Sequence, residues 1–208
     1  MLSALRCQGL FASMHPLLIY IHGFLSSPQS IKAQQTRQYI ERLQLPIQLF
    51  IPQLSNYPMP AYQQLRAMVE TARAENSARQ IALIGSSLGG FMATALAEAY
   101  GLKALVINPA VKPYEISAVL GENTNPYTNE TFVLTHSDIE ALHRLEVQTL
   151  SKPEQIKVLL QTGDETLDYR KAVSYYQGCP QVVEEGGDHG FQNFESHLPE
   201  AFNFLELV

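Results

Sequence analysis

Long hydrophobic runs, basic clusters and cysteine pairs are all missing from this chain of 208 residues. No apolar run approaches the roughly 20 residues that a helix needs to span a bilayer, so no membrane span is predicted. The two cysteines, Cys7 and Cys179, do not form a C-x-x-C pair. This excludes a disulfide framework and gives no indication of a zinc site. It is compatible with a reducing compartment.

The charge balance is mildly acidic, with a formal net charge of −6. Because no basic cluster is present, nucleic acid is not an expected partner. Hydrophobic residues make up 46% of the chain and charged residues 16%, which is an ordinary globular composition. The length suits one domain, since a chain of this size can bury roughly 70% of the surface exposed by its unfolded form.

Strand and helix signals alternate along the chain. The continuous apolar run Leu17–Ile21 predicts a strand that is buried on both faces, as a parallel sheet requires. The other predicted strands are Ile47–Ile51, Gln80–Ile84, Lys103–Ile107, Ile156–Gln161 and Gln181–Glu184. Helices are expected from about Gln29 to Leu43, Ala61 to Asn76, Leu88 to Tyr100, Tyr169 to Gln177 and Phe194 to Leu207. This alternation predicts an α/β fold, with a mainly parallel sheet and helices on both faces.

Three segments depart from this pattern. Residues 1–13 are expected to form a disordered N-terminal extension, with Met14 as a second plausible start, and residues 14–208 a single domain. Tyr57–Pro60 is expected to be a loop. Between Val111 and about Pro153 we predict a cap insertion, at about 111–153, that folds over the edge of the sheet and contains a helix from about Ser137 to Leu145.

The sharpest chemical signal is Gly85-Ser86-Ser87-Leu88-Gly89, which fits G-x-S-x-G with Ser87 at its centre. A predicted buried strand precedes it and a helix follows, which is the context that this nucleophile turn requires in α/β-hydrolases. The turn pushes the Ser87 hydroxyl above the sheet, and side chains at the two outer positions would collide with the neighbouring strand and helix. The helix N-terminus also favours negative charge that develops beside it.

A serine hydroxyl needs a general base to act as a nucleophile. His189 lies in a glycine-rich loop after the last predicted strand and before the last helix, where α/β-hydrolases carry their base. His197, within the last helix, is expected to be exposed or to cap the helix, and His22 is expected to brace a loop through the backbone.

A carboxylate should orient the imidazole of His189. Asp164 directly follows the strand Ile156–Gln161 and is the first choice, with Asp168 and Glu165 as competitors. Asp168 begins the next predicted helix, where it also suits an N-cap. The backbone N–H groups of Phe24 and Leu88 are the expected oxyanion donors, because such donors come from the loop after the first strand and from the residue after the nucleophile.

These motifs resemble the YqiA-like small bacterial esterases of the α/β-hydrolase superfamily. The matching stretches are Tyr20–Phe24, Ser26–Pro28, Ile51–Leu54, Gly85–Gly90, Val106–Val111, Asn125–Thr128, Gln161–Glu165, Leu167–Arg170 and Glu185–His189. The resemblance covers nearly everything from about Leu17 to Leu205. It implies a cytoplasmic enzyme that acts on carboxylic esters or acyl-CoA thioesters, and it places the family's triad on Ser87, Asp164 and His189.

The sequence therefore predicts a serine esterase that forms an acyl-enzyme, with a small-molecule ester or thioester as its partner and with no metal or organic cofactor. An acyl-CoA thioesterase is an alternative, and would need cations for the nucleotide phosphates. Lys112, Arg144 and Arg170 are the candidates near the expected rim of the site. A non-catalytic α/β-hydrolase-like binding protein is a second alternative. The oligomeric state is not predicted.

Overall fold

The computed structural model describes residues 15–115 and 119–208. The strands are β1 (Leu17–Ile21), β2 (Gln48–Phe50), β3 (Ile81–Ser86), β4 (Lys103–Ile107), β5 (Gly121–Thr124), β6 (Thr131–Leu134), β7 (Ile156–Gln161) and β8 (Gln181–Glu184). The helices are α1 (Ile31–Arg42), α2 (Pro58–Glu75), α3 (Leu88–Tyr100), α4 (His136–His143), α5 (Tyr169–Tyr175) and α6 (Phe194–Phe204). No helix in the two described ranges is long and apolar enough to cross a bilayer.

Six of the strands form one parallel sheet in the order β2-β1-β3-β4-β7-β8. The chain runs from β1 outward to β2 and then returns to β3 on the other side of β1. Ile19 of β1 consequently lies between Phe50 of β2 and Leu83 of β3. Ligands of such sheets bind beyond the carboxyl ends of the strands where the strand order reverses, which here is between β1 and β3.

Two hydrophobic cores cover the two faces of the sheet. Leu17, Ile19 and Ile21 of β1 belong to the core beneath α2 and α3, whereas Leu18 and Tyr20 belong to the core beneath α1 and α6. All five side chains are fully buried, because successive residues of a strand point to opposite faces and both faces carry helices. The predicted α/β fold, with a mainly parallel sheet and helices on both faces, is confirmed.

Four strands of the sheet have the predicted bounds, and the other boundaries differ by up to three residues. The prediction of a loop at Tyr57–Pro60 is wrong, because α2 already begins at Pro58. A proline in the first turn of a helix lacks an N–H group that would have had no acceptor within the helix, so Pro58 and Pro60 do not interrupt it.

The connection between β4 and β7 contains a β-hairpin, formed by β5 and β6, that the sequence does not predict. β5 is built from Gly, Glu, Asn and Thr, and lacks the apolar alternation that marks a strand. Only β6 shows that alternation, with Phe132 and Leu134 buried. α4 follows with a capping box, in which the Thr135 backbone N–H donates to Asp138. The predicted extension at residues 1–13, and Met14, lie outside the described residues.

Candidate active site

Ser87 sits on the turn between β3 and α3 with φ 56° and ψ −123°. This region of backbone space is unfavourable for a residue with a side chain, and such strain is typical of functional sites. Two hydrogen bonds tie the turn to the end of β4 and the residues after it. The Ser87 N–H donates to the carbonyl of Ile107 at 3.0 Å, and the Ser87 carbonyl accepts from the N–H of Ala110 at 3.1 Å.

The two glycines of the motif are required by close contacts. A Cβ atom on Gly85 would collide with the carbonyl of Gly89 and would lie 2.8 Å from the Cβ of Ala93 in α3. A Cβ atom on Gly89 would collide with the carbonyl of Ile21 at the end of β1. The glycines therefore allow α3 to approach both its own strand and β1, which explains the spacing of the motif.

Three of the predicted residues meet through hydrogen bonds at the carboxyl ends of β3, β7 and β8. His189 Nε2 lies 3.1 Å from Ser87 Oγ, and His189 Nδ1 lies 2.8 Å from Asp164 Oδ2. Asp164 Oδ1 also accepts the backbone N–H groups of Thr166 and Leu167 at 2.9 and 2.8 Å. With its side chain only 2% exposed, Asp164 is held toward the imidazole.

The two competing acids take other positions. Asp168 caps α5 and accepts hydrogen bonds from the backbone N–H and the side chain of Arg170, which hold the pKa of this carboxyl below its usual value. Glu165 accepts the backbone N–H of His189 at 3.0 Å and so braces the loop rather than the imidazole ring. Of the three candidates, Asp164 alone has a described hydrogen bond to the ring.

Two buried amide side chains, which sequence reasoning missed, hold the loop that carries His189. Asn108, directly after β4, donates through Nδ2 to the carbonyls of Asp188 and His189 at 3.0 and 3.3 Å. Its Oδ1 accepts the backbone N–H of Gln161 at 3.0 Å. The Gln161 side chain in turn bonds the N–H and the carbonyl of Gln192 at 2.8 and 2.9 Å. The sequence signal that could have identified Asn108 and Gln161 is a polar residue at the end of an apolar strand.

The segments that carry the expected oxyanion donors lie beside Ser87. Leu88 is the first residue of α3, where backbone N–H groups have no acceptor within the helix. A Cβ atom on Gly23 would lie 3.2 Å from the Ser87 Cβ, so the backbone that leads into Phe24 lies against the serine side chain. The role of the Phe24 and Leu88 N–H groups remains a prediction.

Two further histidines have structural partners. His22 is buried, its Nδ1 donates to the carbonyl of Gly23 at 3.0 Å, and its Nε2 accepts the N–H of Leu54 at 3.4 Å, which confirms its bracing position. Burial lowers the pKa of His22 and favours the neutral ring. The expectation that His197 is exposed or caps the helix is wrong, because its ring is half-buried and lies 2.9 Å from Glu184.

Two concave spaces reach Ser87 and His189 from different sides. The apolar cavity, of about 250 Å³, lies toward the β4–β7 connection and is lined by Phe24, Pro58, Ser87, Leu88, Ala110, Pro113, Val119, Leu134, Ile139, Leu142, Thr166, Leu167 and His189. The polar cleft, of about 320 Å³, lies toward α1 and is lined by Tyr20, His22–Ser26, Ser30–Lys32, Ser86, Ser87, Tyr127, His189 and Gly190.

The three rim cations proposed from the sequence do not line either space. Lys112 lies 4.0 Å from Glu115, and Arg170 pairs with Asp168. Lys32, which the sequence did not single out, is the lysine that lines the polar cleft. A site for nucleotide phosphates built on Lys112, Arg144 and Arg170 therefore lacks support in this geometry.

Known proteins resemble the chain in sequence and in fold. A UPF0227 protein from Serratia proteamaculans (strain 568) is 26% identical over 193 residues, which is 92% of this chain and 99% of that protein. Est1E from Butyrivibrio proteoclasticus superposes with a TM-score of 0.70 at 17% identity, covering 93% of this chain and 88% of Est1E. Mouse alpha/beta hydrolase domain-containing protein 10 gives a TM-score of 0.68 at 18% identity, covering 92% and 90%.

The fold is therefore that of the α/β-hydrolases. Residues 17–206 match UPF0227, which is described as an uncharacterised protein family. The resemblance to the YqiA-like proteins, drawn from the sequence motifs, is confirmed. The chain belongs to the UPF0227 family.

Proposed function

We propose that the protein is a serine hydrolase that cleaves carboxylic esters through an acyl-enzyme. The observation that carries the proposal is the continuous hydrogen-bonded path from Ser87 Oγ through His189 to the buried carboxylate of Asp164. It begins at a strained turn, where the backbone exposes the serine at the carboxyl ends of the strands. These parts match the geometry by which a nucleophile, its base and an orienting acid are recognised.

In the first half-reaction, His189 Nε2 accepts the proton of Ser87 as Oγ attacks the ester carbonyl. The oxyanion of the tetrahedral intermediate accepts hydrogen bonds from the backbone N–H groups of Phe24 and Leu88. Asp164 holds Nδ1 and stabilises the imidazolium. Collapse of the intermediate breaks the bond to the alcohol oxygen, which takes the proton from Nε2 and leaves the acyl group on Ser87.

In the second half-reaction, water gives a proton to His189 and attacks the acyl-enzyme. The same oxyanion donors act again, and the returning proton restores the Ser87 hydroxyl as the acid leaves. No step in this scheme needs a metal or an organic cofactor. The apolar cavity beside Ser87 suits an acyl chain, because most of the side chains lining it are apolar.

The test is hydrolysis of p-nitrophenyl butyrate, together with labelling by a fluorophosphonate, for the wild type, Ser87→Ala and Ser86→Ala. Ser87→Ala should lose about 10⁶-fold in kcat, in practice to the background rate, and should not label. Ser86→Ala keeps the proposed nucleophile and should still label. A thioester of the same acyl chain, tested in parallel, measures the preference for ester over thioester.

Circular dichroism should show that both variants are folded. If the wild type neither hydrolyses the ester nor reacts with the probe, the serine is not activated and the proposal is wrong. The non-catalytic binding protein then takes its place. If labelling is lost in Ser86→Ala and kept in Ser87→Ala, Ser86 is the nucleophile and the assignment to Ser87 is wrong.

A further inference from the structure

The polar cleft contains a cation that the proposed reaction does not use. Lys32 is the second residue of α1 and is half-buried. Its Nζ donates to the carbonyl of Gly190 at 2.5 Å. Gly190 is the residue directly after His189. A lysine ammonium has three N–H donors, so this bond leaves others for a ligand. Within residues 15–115 and 119–208, no carboxylate lies within ion-pair distance of Lys32.

Two hydroxyl groups of the same cleft have no hydrogen-bond partner within the described part of the chain. Tyr20 is fully buried in β1, and its hydroxyl has no hydrogen-bond partner among the described residues. Ser30 precedes α1, but its buried Oγ neither caps the helix nor bonds another group in that part of the chain. Buried polar atoms nearly always have partners, so an acceptor that enters this cleft would meet two hydroxyl donors to which no described residue is bonded.

We propose that the polar cleft binds a carboxylate on the alcohol portion of the ester, held by the Lys32 ammonium and the hydroxyls of Tyr20 and Ser30. The inference rests on the proposed function, since it assigns a substrate class to the same site. A carboxylate offers only acceptors at neutral pH, which complements one cation and two hydroxyl donors. The N-terminus of α1 lies at the same cleft and adds favourable dipole potential.

The two spaces beside Ser87 differ in chemistry, and this assigns the two parts of the substrate. Of the residues that the structure describes, no lysine, arginine or carboxylate lines the apolar cavity, which therefore suits the acyl chain. The alcohol portion would then occupy the polar cleft, which Lys32 lines. His189 lines both spaces and can give its proton to the alcohol oxygen between them. The predicted substrate joins an apolar acyl group to a hydroxycarboxylic acid.

Lys32 is positively charged at neutral pH. Burial lowers its pKa to about 8, although the nearby carboxylates of Asp188 and Asp164 oppose that effect. The Tyr20 hydroxyl keeps its proton, because burial raises the pKa of this phenol. The cleft thus presents a cation and a hydroxyl donor, which is the state that binds a carboxylate.

The test compares butyryl esters of glycolate and of the two next longer ω-hydroxy acids, each with the matching primary amide in place of the carboxylate. The wild type should show a kcat/KM about tenfold or more higher for the carboxylate at the best spacing, as a charge-assisted hydrogen bond would give. In Lys32→Met this ratio should fall to about one, and Lys32→Arg should restore part of it. Lys171→Met, at an exposed lysine that lines neither space, is the matched control and should keep the wild-type ratio.

A structural role for Lys32, exerted through the Gly190 carbonyl, would lower the rates of acid and amide together and leave their ratio unchanged; that result overturns the inference. The p-nitrophenyl hemiester of glutarate, compared with its amide, tests the opposite arrangement. If the Lys32-dependent preference appears only there, the anion belongs to the acyl portion and the assignment is wrong.

Failure of the inference is distinguishable from failure of the proposed function. Hydrolysis of p-nitrophenyl butyrate without any carboxylate preference would overturn the inference and leave the esterase standing. A wild type that hydrolyses none of these esters would overturn both.

Discussion

Asn108 donates a side-chain hydrogen bond to the main-chain carbonyl of His189 at 3.3 Å, from 81 positions earlier in the chain. The same amide nitrogen donates to Asp188 at 3.0 Å. Asn108 is anchored at the end of β4, so the loop that carries the proposed base is tied to the sheet that carries the proposed nucleophile. Asn108 therefore holds the loop that carries His189, and we expect it to act as a positioning residue.

We expect Asn108→Ala to lower kcat for p-nitrophenyl butyrate by about tenfold to a hundredfold, with a smaller change in KM. The reason is that a misplacement of about 1 Å at a catalytic group can cost a hundredfold in rate. Gln80→Ala is the matched control, since Gln80 also donates to two main-chain carbonyls, those of Leu205 and Glu206. The control should lose thermal stability and keep its kcat; an equal fall of kcat in both variants would show that Asn108 acts only on stability.

The choice of Asp164 over Asp168 gives a paired test. Asp164→Asn should lower kcat by about 10³- to 10⁴-fold, because a neutral amide favours the wrong imidazole tautomer and does not stabilise the imidazolium. Asp168→Asn should stay within about threefold of the wild type, since asparagine caps a helix as well as aspartate does. Steady-state kinetics on p-nitrophenyl butyrate measures both. If Asp168→Asn lowers kcat far more than Asp164→Asn does, the acid that orients the imidazole is Asp168, at the start of α5.

Because the hairpin contributes Leu134 to the wall of the apolar cavity, we expect it to limit the length of the acyl chain that the enzyme accepts. Leu134 is buried and lines the cavity, whereas its neighbour Val133 is 51% exposed, because adjacent strand residues point to opposite sides. Leu134→Phe should reduce the ratio of kcat/KM for p-nitrophenyl octanoate to that for the acetate by about tenfold. Val133→Phe adds the same ring on the outer side and should leave the ratio unchanged. If this ratio falls similarly in both variants, the apolar cavity does not select the length of the acyl chain.

The carboxylate preference should depend on pH in the direction set by Lys32. A lysine whose pKa is lowered to about 8 is charged below that pH and neutral above it. The ratio of kcat/KM for the carboxylate ester to its amide should therefore be highest near pH 7 and fall as the pH rises to about 9.5. His22 and His189 line the cleft, and the carboxylates of Asp164 and Asp188 lie near Lys32. These groups act on both substrates, so the ratio isolates the lysine. In Lys32→Arg, a cation that keeps its proton should hold the ratio constant over this range.

Local sequence pattern was enough to predict the sheet and the strained turn that carries Ser87. Apolar runs such as Leu17–Ile21 predict buried strands from local pattern alone, and the glycines around Ser87 are needed for contacts within a few residues of the turn or at the adjacent strand end. The hairpin was missed because β5 is polar and is paired by β6 rather than marked by its own side chains. Glu165 and Asp168 stayed open as acids because spacing alone does not say which carboxylate turns toward the ring.

Local pattern could not predict which distant polar side chains meet. Asp164 and His189 lie 25 positions apart, His189 and Ser87 102 positions apart, and Lys32 and Gly190 158 positions apart. Lys32 looks in sequence like any lysine in the first turn of an amphipathic helix; the packing of α1 beside the His189 loop is what places its ammonium in a cleft. Local sequence patterns follow from backbone geometry and from burial. Hydrogen bonds between residues far apart in the chain depend instead on how the intervening strands and helices pack.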